Sequence, residues 1–167
     1  KRKKILLLGL IKGVENTKVE FKSSLMYDVK RMIASAKAME FTALKTVAAF
    51  LNTEGGTLII GTDDDKNILG LENTDFLSFS KSNKKDEWSK HLDNLIQNYF
   101  GNAMHSLVKA QFVEIEDKTV ASIQVKKSPQ PVWIKNDKSI EELYIRRTAS
   151  SIALQGHEAV SYINLHW

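Results

Sequence analysis

Cysteine is absent from the 167 residues, which excludes a disulfide scaffold and any cysteine-ligated zinc. That absence suits a cytoplasmic setting. The histidines His91, His105, His157 and His166 share no metal-ligand spacing, so zinc bound by histidine is not expected either. No apolar stretch approaches the ~20 residues of a membrane span, and no membrane partner is expected. Residues 5–11 are apolar and follow Lys1-Arg2-Lys3-Lys4, imitating a signal peptide. The run is short, lacks a small-residue cleavage site and is closed by Lys12, so an amphipathic first helix is the better reading. No Gly-Lys-Ser/Thr follows a glycine-rich turn, so no nucleotide cofactor is expected. No nucleophile paired with a base supports a serine or cysteine hydrolase.

What remains is ordinary globular material: 43% hydrophobic and 26% charged, in a length that fits one domain. The sequence does not begin with Met and ends on Trp167, which reads as a piece of a longer protein. The net charge of +4 comes from the basic Lys1–Lys4 arm, because the other 20 bases balance 20 acids. Distribution is therefore more informative than total. Residues 54–75 carry six acids and one base, whereas residues 118–147 carry seven bases and three acids. Separate acidic and basic segments suit a metal in one place and a phosphate backbone in another. Solvated surface is the plainer explanation.

Apolar spacing predicts a first helix over residues 3–12, then a half-buried strand over 18–22 with Val19 and Phe21 inward. Met39, Ala43, Leu44, Val47, Ala48 and Leu51 recur at helical spacing over 37–51, before Asn52-Thr53-Glu54-Gly55-Gly56 stops the helix. Residues 57–61 read as a buried strand, 63–67 as a turn and 68–71 as its returning hairpin partner. A polar loop is expected over 78–86 and a helix over 87–100. Strands follow over 110–115, 120–125, 132–134 and 143–146, then a helix over 157–164. Trp88 and Trp133 read as core. No repeat, low-complexity tract or linker breaks this order, which indicates an α+β fold with a mixed, largely antiparallel sheet flanked by helices.

Four segments stand out: Val19-Glu20-Phe21-Lys22-Ser23-Ser24; Ala48-Ala49-Phe50-Leu51-Asn52-Thr53-Glu54-Gly55-Gly56-Thr57-Leu58-Ile59-Ile60-Gly61; Ser128-Pro129-Gln130-Pro131-Val132-Trp133; and Leu143-Tyr144-Ile145-Arg146-Arg147 with Ser150-Ser151. In this order they resemble the Schlafen AlbA-like domain, found in many bacterial proteins and in the animal Schlafens, and the resemblance covers roughly residues 6–167. It implies an α+β fold, nucleic-acid binding, and a regulatory setting of bacterial type. In some animal Schlafens the domain is an endonuclease that cleaves structured RNA with three acids and a divalent metal. The resemblance places two of those acids at Glu15 and Glu20, in Glu-x-x-x-x-Glu-Phe-Lys, and the third at Asp63 or Asp64. Mg²⁺ or Mn²⁺ is the metal so implied, with Glu15, Glu20 and Asp63 as its ligands.

Spacing constrains that site. Five residues apart, Glu15 and Glu20 fall on opposite faces of a strand, so they converge only if the chain bends between them. Clustered carboxylates would raise one another's pKa unless a cation relieved the repulsion. Lys18 and Lys22 stand ready to neutralise phosphate charge. Arg146 and Arg147, with Ser150, suit phosphate oxygens, and Lys126 and Lys127 extend a basic strip. The leading expectation is a DNA- or RNA-binding module. A metal-dependent nuclease comes second and a protein-interaction domain third; a homodimer is expected by analogy with Alba-like proteins.

Overall fold

The computed structural model describes residues 2–34 and 36–167, so Lys1 of the basic arm lies outside the described residues. Among the described residues eleven α-helices and β-strands follow in the order α1 (Arg2–Lys12), β1 (Val19–Lys22), α2 (Lys37–Leu51), β2 (Gly56–Ile60), α3 (Lys84–Phe100), β3 (Val108–Ile115), β4 (Lys118–Val125), β5 (Ile134–Lys135), β6 (Glu141–Arg147), β7 (Ser150–Leu154) and α4 (Gly156–His166), with 3₁₀ turns at Asp75–Ser78 and Asn102–Leu107. A four-stranded sheet has the order β1-β2-β4-β3, and a three-stranded sheet the order β5-β6-β7. Among the described residues only β1 and β2 pair in parallel. Parallel neighbours need a crossover, and α2 supplies it. The α+β class with a mixed, largely antiparallel sheet is what the chain adopts.

Alternation along the strands sorts the large sheet into two faces. Leu58, Ile60, Ala121, Ile123 and Val125 turn towards α2 and α3, where Leu44, Phe50 and Trp88 are fully buried. Val19, Phe21, Ile59, Val113 and Val120 turn the other way, onto Leu7 and Ile11 of α1. α2 also packs against β6 and β7, so it lies between the two sheets. A helix held on both sides must be apolar nearly all round, which explains its run of buried residues.

Tight turns fix the registers. β3 and β4 are joined by Glu116 and Asp117, both with positive φ (52° and 59°), the twist that matches a two-residue hairpin. At the end of α2 the Gly55 amide donates to the Phe50 carbonyl at 3.0 Å, which closes the helix. Gly55 has φ 72°, and a Cβ there would meet the Val125 carbonyl at 2.5 Å. A Cβ on Gly56 would strike the Phe50 ring at 2.4 Å, so both glycines serve close packing.

The structure departs from the sequence reading in five places, one being that the strand expected over 132–134 shifts to the two residues of β5, Ile134–Lys135. Residues 68–71 are no strand: both edges of β2 are taken by β1 and β4, and only Ile68 bridges back, to Thr62. The polar stretch 78–86 is partly helical, since α3 begins at Lys84 with the Asn83 side chain capping the Asp86 amide. β7 was not expected. Trp133, read as core, is 39% exposed, while Val132 and Ile134 on either side are buried. No helix among the described residues is long and apolar enough to cross a membrane.

Candidate functional site

The bend that Glu15 and Glu20 require is present. Asn16 and Val19 form an isolated antiparallel bridge, and the Lys18 amide donates to Asn16 Oδ1 at 2.7 Å. Beyond the bend, Glu15 reaches β1, where its Oε1 accepts the Phe21 amide at 2.8 Å. Its pKa is raised, chiefly by burial, and then by the neighbouring Glu20 and Asp64 carboxylates; the Phe21 amide and Lys22 oppose the shift. A raised folded-state pKa means tighter proton binding in the folded state, so that contribution is present at acid pH and lost as pH rises through the raised value. Glu15→Gln keeps an acceptor for Phe21. It is expected to flatten the fall of melting temperature as pH climbs from about 4.5, the ordinary value, towards neutrality.

Glu20 has a different neighbourhood. Its Oε2 lies 2.9 Å from Arg146 Nη2, and its Oε1 accepts Lys22 Nζ at 3.2 Å. The Arg146 side chain is only 1% exposed. Its guanidinium donates to the carbonyls of Asn16 (2.8 Å) and Val19 (3.4 Å) and to Ser151 Oγ (3.2 Å), and it lies 5.2 Å from the Phe50 ring centroid. Glu20 Oε2 accepts no aligned hydrogen bond, so its 2.9 Å contact with Arg146 Nη2 is ionic, and Arg146 Nε has no hydrogen-bond partner among the described residues. The expectation that Arg146 meets phosphate is therefore corrected: its fork is consumed inside the protein, tying β6 to β1 and to the turn before it.

The structure does not gather the three carboxylates expected to hold a metal. Asp63 accepts the Asn67 amide at 2.8 Å and Asn67 Nδ2 at 3.0 Å, which locks a turn. Asp64 is exposed. Among the described residues no three His, Cys, Asp or Glu side chains are grouped so as to hold a metal ion. Glu15 accepts one amide, Glu20 faces two cations and Asp63 holds Asn67, so as placed they form no cage for Mg²⁺ or Mn²⁺.

The expected basic strip divides in two. Lys22 shares a cleft of about 290 Å³ with Glu20, with Lys45, Thr42 and Thr46 of α2 and with Ser150 and Ser151. Ser151 Oγ accepts from Arg146, which leaves its own proton to donate outward. Thr42 and Thr46 donate to carbonyls of their own helix, so their protons are taken. Arg147 is exposed where β6 turns into β7. Lys18 lines a different cleft, with Glu54, Tyr162 and His166. Four residues along a strand separate it from Lys22, roughly 13 Å. Lys127 Nζ pairs with Glu54 at 3.3 Å, and Lys126 is exposed beside it.

Lys45 escaped the sequence reading. Its signal was a second stripe on α2, Ala38, Phe41, Thr42, Lys45 and Thr46, at the same i, i+3, i+4 spacing as the buried one. Also unread were two buried polar hubs. Asn52 donates from Nδ2 to the carbonyls of Val132 (2.8 Å) and Tyr144 (2.9 Å), and its Oδ1 accepts the Val132 amide at 2.8 Å. Asp75 accepts the amides of Leu25 (2.8 Å), Met26 (3.0 Å) and Tyr27 (3.2 Å), and Trp88 Nε1 at 2.8 Å.

Comparison with known proteins gives a consistent picture. A family model described as Schlafen, AlbA_2 matches residues 15–155. No curated protein sequence matches the chain. The DIP2311 protein from Corynebacterium diphtheriae shares the fold at a TM-score of 0.60 and 15% identity, with 99% of this chain covered. The chain spans only 34% of that protein's length. The N-terminal domain of a RecG-related protein from Nitrosomonas europaea, named for its relation to an ATP-dependent DNA helicase, aligns at a TM-score of 0.54 and 20% identity. There 92% of this chain covers 95% of the other.

Proposed function

The chain belongs to the Schlafen, AlbA_2 family, and from that premise we propose that it is a nucleic-acid-binding domain whose grip on the phosphate backbone lies in the cleft between β1, α2 and the β6–β7 turn. One observation carries this reading. Two lysine ammonium groups, Lys22 and Lys45, and two serine hydroxyls with protons to donate, Ser150 and Ser151, line one cleft. Point-like cations with orientable hydroxyls are the donor set that phosphate oxygens take, and they carry no sequence information by themselves. Lys45 forms no salt bridge among the described residues, so its charge is available to a ligand. Arg147, exposed and opposite Ser150 in the β6–β7 register, adds a planar fork. The N-terminal domain of the RecG-related protein, in which the same fold occurs, is in keeping with this role.

The clefts make opposing forecasts about which lysines matter. Binding of a fluorescent oligonucleotide should weaken about ten-fold for each of Lys22→Gln and Lys45→Gln, the worth of one charge-assisted hydrogen bond. Lys127→Gln, which removes a cation that lies outside the proposed cleft, should change it by less than about two-fold. The reverse ranking would move the interface to the other end of β1 and contradict the reading.

A further inference from the structure

The phosphate cleft does not end at Thr42. The same residue lines a second hollow of about 500 Å³ together with Phe41, Tyr99, Lys37 and Lys135. The two hollows adjoin along the outer stripe of α2, and Lys45 marks their junction. Its ammonium sits 5.6 Å from the Phe41 ring centroid and 5.7 Å from that of Tyr144. Phe41 and Tyr99 stand 6.4 Å apart with ring planes inclined at 45°. They are too close and too tilted to sandwich a flat group, but they form an aromatic corner on which one can lie. Both rings are only partly buried.

We infer that this hollow is a nucleobase subsite, so that the groove takes single-stranded nucleic acid, with a base on the Phe41–Tyr99 corner and the adjoining phosphate at Lys45 and Lys22. The inference rests on the backbone-binding reading and adds the identity of the strand. The occupant follows from charge and shape together. Lys22, Lys37, Lys45 and Lys135 line the two hollows, against Asp137 and a Glu20 already neutralised by Arg146. Lys37, Lys45 and Lys135 form no salt bridge among the described residues. An apolar peptide would leave those ammonium groups without partners, whereas a polyanion with flat faces satisfies cations and rings alike. Bases in a duplex are stacked on one another and cannot reach the corner, so the preference is for an unpaired strand.

The test compares a short oligothymidine with an abasic strand of the same length, by fluorescence anisotropy at low salt. The wild-type chain is expected to bind oligothymidine about ten-fold more tightly or better, since each stacked base contributes on that scale. Phe41→Leu and Tyr99→Leu should each erase most of that margin and leave binding of the abasic strand unchanged, which also shows that the variants are folded. Equal affinity of the wild type for both strands, or a margin that survives both substitutions, overturns the base subsite and leaves the backbone reading standing. Failure to bind either strand overturns both.

Discussion

Replacing Arg146 by alanine is expected to lower the folding free energy by about 3–5 kcal/mol, the usual loss when one partner of a buried ion pair is removed. The reason lies in what the guanidinium joins. It holds the Asn16 and Val19 carbonyls of the turn and strand β1, the Ser151 hydroxyl of β7 and the Glu20 carboxylate, over the Phe50 ring of α2. Alanine leaves Glu20, with its side chain 13% exposed, facing only Lys22. Glu20→Ala should be costly for the mirror reason, leaving a buried cation uncompensated. Removing both charges, as in Glu20→Ala with Arg146→Ala, should cost less than the sum of the single losses, because neither charge is then stranded. Denaturant unfolding of the four chains reads this coupling directly. Additive losses would mean that the pair does not act as a unit.

The second large effect is expected at Asp75. Its carboxylate is fully buried and accepts three consecutive amides, Leu25, Met26 and Tyr27, plus the indole of Trp88. Those amides belong to the segment that leads from β1 towards α2, so one side chain sets the path of the crossover. Asp75→Ala leaves four buried donors without partners, at about 1–3 kcal/mol each. A loss on the order of 4 kcal/mol or more is therefore expected in thermal or denaturant unfolding. Trp88 fluorescence should report the change, since the indole N–H loses its acceptor. Burial raises the Asp75 pKa, and the four N–H donors pull against that rise. A loss below about 1 kcal/mol would show that water replaces the carboxylate at these amides.

These two residues mark where sequence reasoning reaches its limit. Helical and alternating periodicity located α2, α3, β1, β3 and β4 to within a few residues, because each buries one face or one stripe against a neighbour close in the fold. Arg146 looked like a surface cation because it precedes another arginine at the end of an exposed-looking strand. What buries it is a carboxylate on β1, and no local pattern records a partner so distant in sequence. Asp75 belonged to an acidic stretch that read as solvated, and only the fold reveals three amides aimed at it. The acidic triad shows the converse. Spacing allowed Glu15 and Glu20 to meet at a bend, and the bend exists, yet Asn16, Phe21, Arg146 and Asn67 engage it and the three acids in ways that spacing could not express. Lys45 was legible in principle, as the cation in the second stripe of α2. It was overlooked because the stripe of buried residues dominates that helix.

Stability and the proposed binding thus share one construction. The Arg146–Glu20 pair fixes β1 against β6 and β7, which holds Lys22 opposite Ser150 and Ser151, while α2 presents Lys45 between them. A rigid scaffold beneath a few orientable donors is an economical way to bind a polyanion, because little side-chain freedom remains to be lost.

The most direct measurement is the salt dependence of binding to a single-stranded oligonucleotide, for the wild type and for the chain carrying both Lys22→Gln and Lys45→Gln. The logarithm of the affinity should fall linearly with the logarithm of salt concentration. Loss of two phosphate contacts should make the double variant's slope shallower by roughly 1.4, at about 0.7 for each contact on a single strand. Parallel lines for the two chains would mean that neither lysine meets a phosphate, and the proposed interface would be wrong.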